Sequence, residues 1–162
     1  MIAIGFDPGT ARLGYGVIES EPDPRAIDFG VIVTDAALPM AQRLLVIHEA
    51  VGTLIDRFRP TSVAVELLFF ARNVTTAMTV GQARGVILLT AAERGIPVSE
   101  YTPSEVKQAV VGYGKADKRQ IQEMVRIMLG LSTAPQPDDA ADALAVAICH
   151  VQVAPFRARV EA

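Results

Sequence analysis

Two short apolar segments, far apart in the chain, each run directly into a single acidic residue. Ile2 to Phe6 leads into Asp7, and Thr61 to Val65 leads into Glu66. Short apolar or β-branched runs of this kind predict strands that are buried within a sheet. A carboxylate at the end of such a strand is costly to bury unless a cation or hydrogen-bond donors compensate its charge. The fold must therefore place these two acids where a partner can reach them.

The remaining segments alternate between strand and helix patterns. Gly9-Thr10 supplies a turn before a weakly alternating run at 13–19, which predicts a hairpin with the first strand. Apolar residues at helical spacing between 40 and 58 predict the first helix. Thr102-Pro103-Ser104-Glu105 carries the signals of a helix start. Further strands are expected at 28–35 and 97–99, and further helices at 73–93, 117–129 and 138–151. This order predicts an α/β domain whose mixed sheet lies between helical layers.

The composition is typical of one globular domain in a reducing compartment. The chain has 162 residues, of which 51% are hydrophobic and 20% charged, enough for one ordinary core. The only cysteine is Cys149, which excludes an intrachain disulfide and disfavours a cysteine-based zinc site. The first residues lack the features of a secretion signal, and no apolar run approaches the ~20 residues of a membrane span. We therefore expect a cytoplasmic protein with no membrane partner.

The charge of the chain is unevenly distributed. The net charge of -3 argues against a protein that coats DNA through bulk positive charge. Residues 67–130, however, contain eight Lys or Arg against five Asp or Glu. We expect this middle segment to face an anion.

Two more acids, Asp139 and Asp142, lie three residues apart at the start of the last predicted helix. This spacing puts both on one face, where the partial positive charge of the helix N-terminus favours anions. Each acid also has an ordinary interpretation: Asp7 as a turn former, Glu66 as an exposed strand end, and Asp139 or Asp142 as a partner of the helix dipole. Asp138 also shares a helix face with Asp142, but we assign Asp138 to capping.

In combination the four acids favour a metal site. Acids that converge from strand ends and a helix start repel one another, and divalent cations relieve the repulsion. Hard cations prefer oxygen ligands, so Mg²⁺ is the expected metal, with Mn²⁺ as an alternative. Two such ions about 4 Å apart can activate a water and stabilise the leaving oxygen of a cleaved phosphodiester. The site is therefore expected to bind two ions and to cleave nucleic acid.

Four motifs follow one another along residues 1–152. They are Gly5-Phe6-Asp7-Pro8-Gly9-Thr10, Glu66 ahead of an aromatic pair, Gly81-Gln82-Ala83-Arg84-Gly85, and Asp139-Ala140-Ala141-Asp142-Ala143-Leu144-Ala145. In order and spacing they resemble the RuvC family of Holliday-junction resolvases. The resemblance implies a ribonuclease-H-like fold, a homodimer, and paired symmetric nicks in four-way DNA junctions during homologous recombination and DNA repair. Residues 153–162 would then form a C-terminal tail outside the nuclease domain.

The same resemblance implies roles for the acids and a partner. Asp7, Glu66, Asp139 and Asp142 match the catalytic residues that bind the metal in this family. Family members can carry histidine at the position that matches Asp139, so its ligand role follows less directly. A RuvA/RuvB-type branch-migration complex is the expected partner besides junction DNA.

Six residues are candidates for contacts with DNA: Phe69, Arg72, Lys107, Lys115, Lys118 and Arg119. Phe69 matches an aromatic that approaches the junction centre in the family, although side chains just after a strand are more often part of a core. Lys107 and Lys118 match family positions associated with DNA binding and activity. Lys115 and Arg119 are secondary candidates, because exposed basic residues usually have no specific role.

Ala77, Gly81 and Gly85 recur every four residues in the predicted helix at 73–93. Such a strip of small residues lets another element approach closely. Packing inside the monomer is one explanation. The resemblance favours another, in which this helix contributes to a two-fold dimer that sets two active sites on opposing strands.

Three other functions stay open at this stage. An actin-like or sugar-kinase-like ATPase could use Asp7 to Thr10 as a phosphate loop, but those folds close two domains around a nucleotide and this chain has the length of one. A ribonuclease-H-like nuclease for another nucleic acid would use the same acids. A non-catalytic junction-binding module would not need all four.

We predict that Phe69→Ala reduces junction cleavage while the carboxylates still bind metal. The ring would support unstacked bases at the crossover, a contact worth ~1–3 kcal/mol. The assay compares intact junctions with junctions already opened at the centre, because pre-opened DNA should partly rescue a defect in distortion. Equal losses on both substrates, or a collapsed fold by circular dichroism, would mean that Phe69 is a core residue.

Overall fold

Ten elements make up the part of the chain that the computed structural model describes, residues 1–67 and 73–160. Three strands come first: β1 (Ile2–Asp7), β2 (Arg12–Glu19) and β3 (Arg25–Val33). Helix α1 (Met40–Phe58), strand β4 (Ser62–Glu66), helix α2 (Val74–Glu93) and strand β5 (Val98–Tyr101) follow. Three helices complete the order: α3 (Pro103–Val111), α4 (Lys118–Met128) and α5 (Asp138–Val160).

The strands form one mixed sheet in the order β3-β2-β1-β4-β5. The first three strands are antiparallel neighbours, whereas β4 runs parallel to both β1 and β5. Asp7 lies opposite Gly14 of β2, and Phe6 pairs with Val65 of β4. The expected α/β architecture with a mixed sheet is confirmed, and both apolar runs are central strands.

Each face of the sheet carries its own apolar core. Ile4 and Phe6 of β1 pack with residues of α1 and α2, whereas Ala3 packs on the opposite side with α3, α4 and α5. Because side chains alternate along a strand, Asp7 belongs to the same face as Ala3. Glu66 follows the same rule, since Ala64 lies in the core beside α5. Both acids therefore end on the face that α5 covers.

Glycines let α5 lie directly on the backbone of β1 and β2. A Cβ atom added at Gly5 would stand 2.3 Å from the Ala143 carbonyl oxygen, and one added at Gly14 would stand 2.0 Å from the Asp139 carbonyl oxygen. A Cβ atom added at Gly16, the cross-strand partner of Gly5, would stand 2.8 Å from the Leu144 backbone nitrogen. No residue with a side chain fits at these positions without moving the helix.

Most expected elements are present, and the main differences occur at element ends. The third strand runs from Arg25 to Val33 rather than over 28–35, because pairing with β2 continues to Glu19 across an irregularity in register at Val17/Ile18. The last strand extends to Tyr101, which pairs with Glu66. Such pairing depends on the neighbouring strand and not on local propensity. The remaining helices agree to within two residues, and the capping box of Thr102 and Glu105 is confirmed.

Helix α5 continues to Val160, nine residues beyond the expected end at Val151, so residues 153–160 are helical. Arg157 fixes this extension: its guanidinium lies 4.6 Å from the centroid of the Tyr101 ring and pairs with Glu105 at 2.8 Å.

By length and composition alone α5 could cross a membrane. Its first half is buried in the core beside β1 and β2.

The far end of α5 is also held by a buried histidine. His150 contacts the Ser62 hydroxyl at 2.7 Å through Nε2 and the Tyr101 hydroxyl at 2.9 Å through Nδ1. Burial, and then the nearby charge of Arg157, lowers the pKa of His150. Both ring nitrogens thus have partners, and His150 serves packing.

We predict that Gly14→Ala lowers the free energy of unfolding by ~1–3 kcal/mol or more, because the new methyl group meets the α5 backbone, which cannot rotate away. Gly30→Ala is the matched control, since its methyl group would meet the Tyr15 side chain at about 3 Å, and that side chain can move. Urea denaturation of both variants measures the difference. Equal stabilities would show that α5 does not rest on Gly14 as closely as described.

Candidate metal-dependent nuclease site

Asp7 and Glu66 lie side by side because they are the last residues of two neighbouring parallel strands, β1 and β4. Both strands are buried along their length, so the two carboxylates reach solvent only at this end of the sheet. Each is partly exposed. This end of the sheet therefore presents two acids from one face.

Asp139 and Asp142 approach the same end of the sheet from the first turns of α5. The Asp139 backbone rests on Gly14, and Gly14 is the cross-strand partner of Asp7. Asp142 follows one helical turn later on the same face. Together with Asp7 and Glu66 they form a cluster that we term the acidic site.

Burial and mutual repulsion disturb the ionisation of the acidic site. Burial, followed by the negative charges of Glu66, Asp142 and Asp139 in that order, raises the pKa of Asp7 to about 8. The two carboxyl groups of Asp7 and Glu66 are close enough to share a proton, which Asp7 donates. A cluster of carboxyl groups that keeps a proton at neutral pH would carry more negative charge than its surroundings compensate if that proton were lost.

The pKa values of Glu66 and Asp142 are raised as well. Burial, and then the charge of Asp142, raises the pKa of Glu66, while Lys107 and Lys118 act against the rise. Burial likewise raises the pKa of Asp142, and Lys118 opposes it. Lys118 is partly desolvated, yet the carboxylates of Asp142 and Asp138 raise its pKa. The two lysines are therefore the local counter-charges of the site.

Two basic side chains pair directly with acids at the start of α5. Arg12 Nε donates to Asp139 Oδ2 at 2.8 Å, and Lys118 Nζ lies 3.4 Å from both Asp142 Oδ2 and Asp138 Oδ2. Within residues 1–67 and 73–160, no three Asp, Glu, His or Cys side chains are arranged around one common point as ligands would be. Asp139 and Asp142 are instead each paired with one of these two cations.

The assignment of Asp138 to capping was wrong. Asp138 is the first residue of α5, and its carboxylate accepts a hydrogen bond from Gln122 Nε2 at 3.0 Å as well as facing Lys118. These contacts tie α5 to α4. They could not be expected from the local sequence, because Gln122 lies sixteen residues earlier in the chain.

A cavity of about 230 Å³ opens beside the acidic site. Glu66, Asp142, Lys107 and Lys118 line it, together with apolar residues of α3, α4 and α5. The two lysines that matched functional positions of the resemblance thus face the acids. A phosphate in this cavity would lie beside two positively charged lysines and two carboxylates.

Two of the other DNA-contact candidates, Lys115 and Arg119, lie away from this cavity. Lys115 and Arg119 are exposed and are not among the described residues that line this cavity; Arg119 borders a different depression with Tyr113 and Glu123. Phe69 and Arg72 fall outside the described residues. Arg84, part of the third motif, is held by Glu100 at 2.8 Å through Nη2.

The loop after Asp7 is anchored by Thr34 and Arg43, which the sequence did not single out. The Thr34 hydroxyl donates to the Thr10 carbonyl oxygen and accepts a hydrogen bond from Arg43 Nε at 2.8 Å. Thr10 itself is buried. A Cβ atom at Gly9 would stand 2.4 Å from the Arg12 carbonyl oxygen, so the turn is closed tightly. This packing fixes the direction in which the chain leaves Asp7.

The donor set of the acidic site fits a hard divalent cation. All four candidate ligands are carboxylates, which Mg²⁺ and Mn²⁺ prefer over neutral nitrogen or sulfur donors. A cation would also remove the repulsion that raises the pKa of Asp7 and Glu66. Arg12 and Lys118 already satisfy two of the acids with positive charge, which shows that cations are accepted at these positions.

Sequence reasoning missed Arg12 and the glycines beneath α5. Arg12 gave no signal, because a single arginine before a strand is ordinary. Gly14 and Gly16 did carry one: glycines two residues apart occupy one face of a strand and often mark a close approach of another backbone.

Comparisons with known proteins agree with this geometry. A family model described as crossover junction endodeoxyribonuclease RuvC matches residues 3–150. A protein of that name from Chloroflexus aggregans is 58% identical over 156 residues, which cover 96% of this chain and 95% of the relative. The solved structure of Thermus thermophilus RuvC in complex with Holliday junction substrate matches with a TM-score of 0.92 and 42% identity, over 97% of this chain and 96% of the other.

A more distant structure shows the fold alone. The yeast mitochondrial Holliday junction resolvase Ydc2 matches with a TM-score of 0.66 at 13% identity, over 98% of this chain and 84% of the other. The expected ribonuclease-H-like fold is confirmed.

We predict that Asp7→Asn stabilises the metal-free protein, by several kcal/mol at pH 8. The pKa of Asp7 rises from 3.8 to about 8 on folding, so the folded protein binds this proton more tightly than the unfolded chain. The native protein therefore loses stability as the pH rises from about 4 to 8, and asparagine escapes that loss.

The measurement is urea denaturation in EDTA across that pH range. The advantage of Asp7→Asn should grow with pH and level off above pH 8. Asp23→Asn, at an exposed position between β2 and β3, is the control and should show no such trend. A native protein as stable as Asp7→Asn at pH 8 would contradict the repulsion described for the acidic site.

Proposed function

The chain belongs to the RuvC family, and on that basis we propose that it is a crossover junction endodeoxyribonuclease that resolves four-way DNA junctions at the acidic site. The activity is metal-dependent hydrolysis of phosphodiester bonds in homologous recombination and DNA repair. One observation carries the proposal: four carboxylates from two strand ends and one helix converge beside a cavity lined by Lys107 and Lys118.

Asp7, Glu66, Asp139 and Asp142 are the proposed metal ligands, with two Mg²⁺ ions per site and Mn²⁺ as a substitute. The bound metal would activate a water and stabilise the leaving oxygen. Asp7 is central, because its charge interacts with all three other acids. Loss of the proton shared by Asp7 and Glu66 would accompany metal binding, so metal affinity should increase with pH.

The lysines give the site its affinity for the DNA backbone. Lys107 and Lys118 face Glu66 and Asp142 across the cavity, close enough to lower the pKa of Glu66. A phosphate in the cavity would take over part of the contact that Lys118 makes with Asp142. Phe69, Arg72, Lys115 and Arg119 remain proposed DNA contacts.

A homodimer would supply the second active site that paired symmetric nicks require. Ala77, Gly81 and Gly85 are exposed along α2, and a Cβ atom at either glycine would meet nothing within 4 Å. Val74 and Met78, at 75% and 63% exposure, lie on the same helix. This small and apolar face supports α2 as the dimer surface.

The proposed activity also suggests a partner complex and a cellular compartment. A junction nuclease works where a branch-migration motor moves the crossover, so we propose a RuvA/RuvB-type complex as the partner. The buried, unpaired Cys149 is consistent with a reducing cytoplasm.

The test is a cleavage assay in Mg²⁺ with matched four-way, duplex, flap and RNA–DNA substrates. We expect paired nicks in the four-way junction alone, and a loss of at least 10³-fold for Asp7→Asn with junction binding and fold retained, as expected when a metal ligand essential to the chemistry is removed. Preferred cleavage of RNA–DNA hybrids would point to a different nuclease. Junction binding without nicking would point to a non-catalytic module, and near-normal turnover by folded Asp7→Asn would exclude Asp7 as a ligand.

A further inference from the structure

Arg12 pairs with one of the four acids of the acidic site. It is the first residue of β2, and its Nε donates to Asp139 Oδ2 at 2.8 Å. The Arg12 side chain is 49% exposed and that of Asp139 32% exposed, so the pair lies at the rim of the site and not beneath it.

The fold makes this contact unavoidable. Arg12 and Gly14 are two residues apart and share the face of β2 on which α5 rests. The Asp139 backbone sits directly on Gly14, so the Asp139 side chain lies within reach of the next residue along that face, Arg12. The pair is therefore built by the same close packing that brings α5 to Asp7.

We propose that Arg12 is a positioning residue that holds Asp139 in place until metal binds, and that must release this carboxylate for the metal to bind fully. The proposal rests on the assignment of the acidic site as a metal centre. Arg12 and the metal compete for one oxygen, so the arginine pre-orients Asp139 and at the same time weakens the affinity for metal. Exposed ion pairs are weak, which limits this weakening to about two- to fivefold.

Mn²⁺ titrations of the full-length protein in the absence of DNA test the proposal, by calorimetry and by the electron paramagnetic resonance signal of free Mn²⁺. We expect Arg12→Gln to tighten Mn²⁺ binding by about two- to fivefold, and Arg12→Lys, which keeps the charge, to restore most of the native affinity. Arg25→Gln is the matched control, since Arg25 forms an exposed ion pair with Glu19 at the opposite end of β2. It should leave Mn²⁺ affinity unchanged.

A double-mutant cycle separates a contact through Asp139 from the general loss of a positive charge. If Arg12 acts through Asp139, Arg12→Gln should have no effect on Mn²⁺ affinity in the Asp139→Asn background. Equal effects in both backgrounds would overturn the role of Arg12 while leaving the metal site intact. Failure of the native protein to bind Mn²⁺ at all would overturn the metal site, and the role of Arg12 with it.

Discussion

The contact between α5 and the bare backbone of β1 and β2 is the constraint on which the rest of the structure depends. Gly5, Gly14 and Gly16 have no side chain to hold the helix away, so its first turns come down onto the strands. A helix packed through ordinary side chains would stand further from the strands, and the acids at its start would lie further from Asp7. The packing of α5 on the strands thus determines where the four carboxylates lie relative to one another.

The packing of α5 brings the four acids of the acidic site close together, and other parts of the fold must compensate their negative charge. Burial and repulsion leave Asp7 protonated at neutral pH, and Arg12 and Lys118 pair with the acids of α5. Apolar cores on both faces of the sheet supply the stability that this arrangement costs. Repulsion among the acids lowers the stability of the folded protein. A divalent cation that relieves this repulsion stabilises the folded protein, and it binds most strongly where it relieves the most repulsion.

The sequence predicts much of this arrangement, but it does not predict the contacts between segments that are far apart in the chain. The apolar runs before Asp7 and Glu66 were sufficient to predict central strands and two converging acids, since burial and alternation are local signals. The end of α5 and the partners of Asp138 depend on Arg157, Gln122 and Lys118 meeting residues far along the chain. The Arg12–Asp139 pair spans 127 positions, and no local pattern encodes it.

The most direct measurement is the anomalous diffraction of Mn²⁺ in crystals of the native protein. We predict manganese density at the end of β1, coordinated by Asp7 and by at least one carboxylate each from β4 and α5, with Asp139 turned away from Arg12. Density elsewhere in the molecule, or none at a Mn²⁺ concentration that supports cleavage, would contradict the claim that packing of α5 on the strand glycines builds a metal-dependent nuclease site.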